Sequence, residues 1–296
     1  MKDPFVRSQI GLFISSLQTH IAILAKQEVI KKREKICNFY SFHIYNRLYS
    51  IQYISSKLYI KHPVLQQDEY CLNLLSQTKY IHFKNKSSIL KENIFKSFNI
   101  DQSIIEKVFQ KMLLTIIEPY YETTFYKDMY GFRKGRSLVN AVAEVYKYLH
   151  EDIEFKAVIK LHLKEYLNLL FIENNILHIW FPDTFKPFLL FLFKKYNIDN
   201  FKKISIIDHD SPFYIIGPLF CNILLNNIYK SSYIYSHKDC LIKSSKHIRN
   251  NCVLFGEEII FIVNIEYKNI IICEILNYLK QIGIEYCKKN ISIYYE

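Results

Sequence analysis

The sequence predicts an α+β protein in which helices pack on a small, mainly antiparallel sheet. Apolar residues recur at helical spacing in several long stretches, beginning with Ile10, Phe13, Ile14, Leu17, Ile21 and Leu24. An alternating segment at Phe155–Leu161 reads as a strand, and Cys252–Val263 reads as a hairpin, so sheet enters only in the second half of the chain.

In chain order, Ser8–Ile30 forms the first amphipathic helix. A basic turn, Lys31-Lys32-Arg33 with Lys35, leads to a second helical stretch at about Phe39–Tyr59. From Lys61 to Asn99 the chain is polar, irregular and lysine-containing, which suits a connection. Helices follow near Ile104–Ile117 and Ser137–His150. In the latter, Ser137 is a good N-cap for the helically spaced Val139, Val142, Val145, Tyr146 and Leu149. After the strand Phe155–Leu161 come helices around Pro187–Tyr196 and Pro218–Tyr229, the hairpin, a helix at Ile271–Ile282 and a last strand at Ile284–Ile293. The organisation is an N-terminal helical region over residues 1–100 and a sheet-bearing region over residues 101–296.

Composition bounds the function. At 296 residues with 50% apolar content the chain holds one large or two modest domains. Glycine numbers 6, where ordinary usage of about 7% gives roughly 20, while Tyr numbers 24 and Phe 22. These residues, with the abundant Ile, Lys and Asn, have codons rich in A and T, which points to a compact plastid genome, with a mitochondrion or an AT-rich microbe as alternatives. A formal net charge of +11 implies attraction to polyanions through counterion release from phosphates. Cations cluster at Lys31, Lys32, Arg33 and Lys35, at Arg133, Lys134 and Arg136, at Lys194-Lys195 with Lys202-Lys203, and at Lys288-Lys289. Interleaved Tyr and Phe suit stacking on unpaired bases, although most must fill the core. Seven cysteines without a C-x-x-C pair indicate neither a zinc ribbon nor a disulfide framework. The longest uncharged apolar runs, Ile215–Cys221 and Phe188–Phe193, fall short of the roughly 20 residues that span a bilayer, so no membrane partner is expected. The N-terminus lacks the early cationic region and compact apolar block of a secretory signal, and for an organellar protein the lack of an evident transit peptide is consistent with its being encoded there.

The most specific local signal is Gly131-Phe132-Arg133-Lys134-Gly135-Arg136-Ser137, a glycine-punctuated basic loop that opens a helix. Glycines let backbone approach a phosphate and a helix N-terminus offers it unpaired N–H groups. The bland alternative for the heptapeptide alone is a solvated basic turn.

Its context is longer. Glu106-Lys107, Gln110, Leu113, Ile117-Glu118-Pro119-Tyr120-Tyr121-Glu122, Phe125, Tyr130-Gly131-Phe132-Arg133, Gly135-Arg136-Ser137 and Ala141 stand in order and at fixed offsets. This stretch resembles the fingers-to-palm region of group II intron reverse transcriptases and maturases, whose pattern reads D-R-x-x-Q, L-E-P-x-x-E, then Y-G-F-R-P-G-R-S-x-x-x-A. Glu106-Lys107 stands for D-R and Lys134 for the proline. Phe155–Leu170 is similar to the first palm strand, V-x-x-D-I-x-x-F-F-D, with His162 at the catalytic aspartate and Leu167-Asn168 in place of F-D. Gly217–Tyr229 is similar to the P-Q-G-x-x-x-S-P-L-L-x-N-I-Y segment without its glutamine and S-P pair. Val253–Ile260 stands where the family has V-R-Y-A-D-D-F-V, which puts Glu257 and Glu258 at the paired aspartates. Leu279-Lys280, Gly283-Ile284-Glu285-Tyr286 and the lysines behind resemble the helix and strand that follow that hairpin.

The resemblance implies a reverse-transcriptase-like fingers and palm, residues 61–99 being a remnant of the fingers. It also implies no thumb or maturase domain within the chain, so that this is a shortened relative or a thumb-bearing partner supplies those contacts. Polymerases of this kind hold two divalent ions on palm carboxylates. Magnesium takes hard oxygen ligands, whereas the imidazole of His162 is softer and cannot bridge two ions. The extra methylene of Glu257 and Glu258 moves each carboxylate by about 1 Å, a displacement that can cost about 100-fold in rate. A catalytically inactive protein is therefore expected, with no metal and no cofactor, magnesium entering only if polymerase activity survives. Taken by themselves, Glu257-Glu258 also fits an exposed acidic turn, and His162 a hydrogen-bonded histidine on a sheet surface. Asp208-His209-Asp210 lacks a spacing that specifies a metal and is assigned to a loop.

The leading expectation is an RNA-binding, reverse-transcriptase-like organellar protein that assists intron splicing or ribosomal-operon transcript processing. Arg133, Lys134 and Arg136 are its main RNA contacts, with Lys31, Lys32, Arg33, Lys288 and Lys289 as auxiliary surface. A residual RNA-templated DNA polymerase using Glu257 and Glu258, and a vestigial structural or interaction protein, are the alternatives.

Overall fold

The computed structural model describes residues 4–58, 102–150, 156–163, 179–196, 211–238, 251–282, 284 and 291–295. The predicted connection over 61–99, Leu167-Asn168, Lys202-Lys203, Asp208-His209-Asp210, Gly283, and the segment 285–289 with Lys288 and Lys289 lie outside them. The fold is α+β, with eight helices and one four-stranded antiparallel sheet among the described residues. The chain divides into two compact units. One comprises Met1–Thr124, Trp180–Asn197 and Ile207–Gly217; the other comprises Phe125–Ile179, Ile198–Ile206 and Pro218–Glu296.

The first unit is helical. Helix α1 (Pro4–Lys26) buries Ile10, Ile14, Leu17, Ile21 and Leu24, the stripe its spacing predicts. By length and composition its Arg7–Lys26 stretch is long and apolar enough to cross a membrane, which the uncharged runs did not suggest, yet that stripe is turned into the protein. Glu28, with φ 55°, turns the chain into α2 (Ile30–Ser41). The basic residues at 31–35 are thus part of a helix rather than the expected turn. Phe42 and His43 separate α2 from α3 (Ile44–Leu58), dividing the single helical stretch read from the sequence. Asn46 closes this corner, its side-chain amide donating to Ser41 O at 3.1 Å and Met112 O at 3.2 Å.

Helix α4 (Gln102–Glu122) runs through Pro119, past the predicted end near Ile117. It sets Val108, Met112, Leu113 and Ile116 fully out of solvent, each such side chain contributing about 1.5–3 kcal/mol by burial. A 3-10 turn at Asp183–Phe185 leads into α6 (Lys186–Lys195), which opens with Pro187 where a missing N–H costs least; α5 (Leu138–Leu149) belongs to the other unit. The buried Glu106 receives Lys195 Nζ at 2.6 Å on one oxygen and the Tyr196 hydroxyl at 2.6 Å on the other.

The second unit carries α5 (Leu138–Leu149), β1 (Lys156–His162), α7 (Gly217–Lys238, whose first residue falls in the other unit), β2 (Asn251–Phe255), β3 (Glu258–Asn264), α8 (Lys268–Gln281) and β4 (Ser292–Tyr295). Strand order is β2-β3-β1-β4. Register pairs Ile159 with Phe261 and His162 with Glu258. Alternation then sends Ala157, Ile159, Leu161, Ile259, Phe261 and Val263 to one fully buried face and Val158, Lys160, His162, Glu258 and Ile260 to the other. Helix α5 covers part of that second face, packing Ala141 and Tyr148 with Val253 and Ile262.

Candidate nucleic-acid interface

The basic loop is pinned to the β2–β3 hairpin. Leu254 N–H donates to Asp128 O at 3.1 Å and Tyr130 N–H donates to Leu254 O at 2.7 Å, extending the sheet by an isolated bridge. Gly131 lies so close to the hairpin turn that an added Cβ would meet the Gly256 nitrogen and come 2.6 Å from its Cα. Gly131 O accepts from Asn222 Nδ2 at 2.8 Å. This glycine is required by the close approach of two backbones.

The arginines that follow differ in use. Arg133 turns back under the loop, its Nη1 donating to Tyr126 O at 3.0 Å and Met129 O at 2.7 Å, with its guanidinium 5.3 Å from the Phe125 ring. Lys134 and Arg136 are exposed. Arg136 makes an exposed contact to Lys127 O at 3.1 Å and lies 5.3 Å from the Tyr130 ring centre. Gly135 takes φ 72°, and Ser137 starts α5 with a capping box, accepting from Asn140 N–H while Asn140 Oδ1 accepts from Ser137 N–H at 3.0 Å. Beneath the loop the buried Asp128 carboxylate accepts from the Tyr148 hydroxyl at 2.6 Å. Burial, the largest cause, pushes the Asp128 carboxyl up, against the Tyr148 hydrogen bond and Lys127.

Beside the same hairpin, Leu163 N–H donates to Glu257 O at 2.8 Å. Glu258 Oε1 lies 2.8 Å from Lys160 Nζ and 3.6 Å from His162 Nδ1, all three side chains partly exposed. Two divalent ions do not fit this donor set. Position 162 offers imidazole nitrogen, and the nearer carboxylate already has an ammonium against it. Among the described residues no group of three or more His, Cys, Asp and Glu side chains gathers.

Of the auxiliary cations, Lys31 and Lys32 are exposed. Arg33 is a correction: it is buried, its guanidinium 4.0 Å from the Tyr120 ring centre and 4.5 Å from that of Trp180. On a helix it stands about 200° round from Lys31, which turns it inward. Lys288 and Lys289 lie outside the described residues. Sequence reading missed Lys160, although its place two residues before His162 on a strand puts both on one face. It also missed the Asp128–Tyr148 pair, for which spacing gives no signal. No protein-family model matches the chain and no curated protein matches it either, so the functional reading rests on these residues.

Proposed function

We propose that this protein binds RNA and is a catalytically inactive relative of group II intron reverse transcriptases and maturases, acting in an organelle, a plastid by preference, on intron or ribosomal-operon transcripts. The observation that carries the reading is the meeting of three segments distant in sequence. Asp128–Gly131, His162-Leu163 and Leu254–Glu258 join at one hairpin through Tyr130–Leu254, Leu254–Asp128 and Leu163–Glu257 backbone bonds and the His162–Glu258 pairing. These are the segments in which the sequence resembles the family's Y-G-F-R loop, first palm strand and paired-aspartate hairpin.

The donor chemistry at His162 and Glu258 supports inactivity. RNA binding is supported by the formal charge of +11 and by Lys134 and Arg136 standing exposed just before α5. The test is filter retention of organellar transcripts across a salt series, with Lys134→Glu/Arg136→Glu beside the parent. The double reversal is expected to lower affinity several-fold and flatten the salt slope; unchanged retention sinks the reading. Magnesium- or manganese-dependent primer extension, abolished by Glu257→Gln, would instead establish the polymerase alternative.

A further inference from the structure

Helix α2 divides its residues sharply. Arg33, Cys37 and Ser41 are buried on one side. Lys31, Lys35, Phe39 and Lys32 are exposed and occupy positions at about 0°, 40°, 80° and 100° around the axis. Phe39 is 71% exposed, which an isolated helix-surface phenylalanine need not explain. It is, however, one of five neighbouring rings. Phe39 meets Tyr40 edge-on at 4.9 Å, Tyr40 lies 5.6 Å from Phe13, Phe13 stacks on His43 at 4.8 Å and 17°, and Tyr45 closes on Phe13 at 4.9 Å. None of the five is fully buried. His43 accepts from Tyr45 N–H through Nδ1 at 3.3 Å, and burial holds it below the ordinary histidine value, so at neutral pH it presents a neutral ring.

We propose that this face of α2, with Lys31, Lys32 and Lys35 beside Phe39 and the Phe13–Tyr40–His43–Tyr45 rings, binds single-stranded RNA. The lysines take phosphates, and the exposed Phe39 ring, backed by the half-buried ones, stacks on an unpaired base. Charge selects this occupant: three cations share the exposed side with the ring, whereas the neighbouring Glu34 is directed to Trp180, its Oε1 accepting from the indole N–H at 3.3 Å. The inference rests on the reading of the chain as an RNA-binding protein but uses none of the residues of the Gly131–Ser137 loop.

The experiment is fluorescence anisotropy with a labelled RNA of about 15 nucleotides lacking self-complementarity, and with its duplex, over a salt series. Phe39→Ala is expected to weaken single-strand binding about tenfold while leaving its salt slope and the duplex affinity unchanged. Phe39→Trp retains the affinity. Lys31→Gln/Lys35→Gln lowers the single-strand slope by about 0.7 per lysine. Because Phe39 is exposed, the variants fold, and circular dichroism verifies it. Single-strand affinity unaltered in Phe39→Ala overturns this inference alone. Equal loss on single strand and duplex overturns the single-strand selectivity. A parent protein that retains neither RNA removes the proposed function as well.

Discussion

The Asp128–Ser137 loop and the sheet face at His162 and Glu258 meet at the same hairpin, but their residues are used differently. In the loop four of the positions shared with the family-like pattern have a local structural use: Gly131 admits a second backbone, Arg133 ties two carbonyls together, Gly135 takes a positive φ, and Ser137 caps a helix. Glu106, which stands for the acidic residue of D-R, is likewise a buried anchor for Lys195 and Tyr196. On the sheet face His162, Glu257 and Glu258 depart from the pattern, and the His162 and Glu258 contacts are partly exposed and of little energetic weight. The loop thus spends its residues on local geometry, whereas the sheet face leaves its charged side chains in partly exposed contacts.

Gly131→Ala tests the geometric half most severely. The new methyl has only hairpin backbone to push against, which cannot rotate away, so a loss of about 3 kcal/mol or more is expected in chemical denaturation. Gly135→Ala is the matched control. It has open space around it and only the positive φ to contend with, so about 1 kcal/mol is expected. Equal losses at the two glycines would break the argument that backbone contact fixes Gly131.

Arg133→Met comes next, with an expected loss of about 2 kcal/mol from two charge-assisted hydrogen bonds. RNA affinity of the folded fraction should change little. Arg136→Gln reverses the pattern, with stability held within about 0.5 kcal/mol and RNA affinity lowered with a shallower salt slope. If Arg133→Met alone abolishes RNA retention at full folding, the loop arginine is a ligand contact and the comparison fails.

Much of the fold was readable from period alone. The stripe of α1, the strand at 156–162 and the hairpin at 251–264 depend on local alternation of apolar and polar residues, which the sequence carries directly. What escaped was three-dimensional. A run of cations at 31–35 looks uniform in one dimension, and only its winding into α2 separates Lys31 from the buried Arg33. The ring cluster joins Phe13 to residues 39–45 across three helices and a corner, and Glu106 finds Lys195 some ninety positions away. Ser137 was legible as a cap, whereas the carbonyls of Tyr126 and Met129 that Arg133 serves were not, because sequence shows charge but not its partners.

The sheet-face half can be sharpened by placing aspartates there. The triple variant His162→Asp/Glu257→Asp/Glu258→Asp replaces imidazole and shortens both carboxylates, so it is expected to gain manganese-dependent stability, about 1.4 kcal/mol at ten times the Kd. The parent should show no such gain. A parent stabilised equally by manganese would mean that His162 and Glu258 already form a metal site despite Lys160.

The mildest test uses pH, and it separates the loop from its surface. Asp128 is buried, and burial raises its carboxyl above the ordinary value of about 3.9, so between that value and the folded one the native state binds more protons than the unfolded chain. Stability from this group is therefore present at low pH and declines as pH rises through that window. Glu144, lowered chiefly by its hydrogen bond from Lys147 at 2.9 Å, has the opposite sign: its contribution is present above the unfolded value and lost as pH falls. The two oppose each other in the parent, with Lys127, Lys147 and Tyr148 facing Asp128 throughout. Asp128→Asn keeps an acceptor for the Tyr148 hydroxyl but cannot titrate. Thermal unfolding from about pH 4 upward should then show the variant rising relative to the parent, leaving the Glu144 trend alone. A constant offset between the two profiles would place the Asp128 titration outside the folded loop.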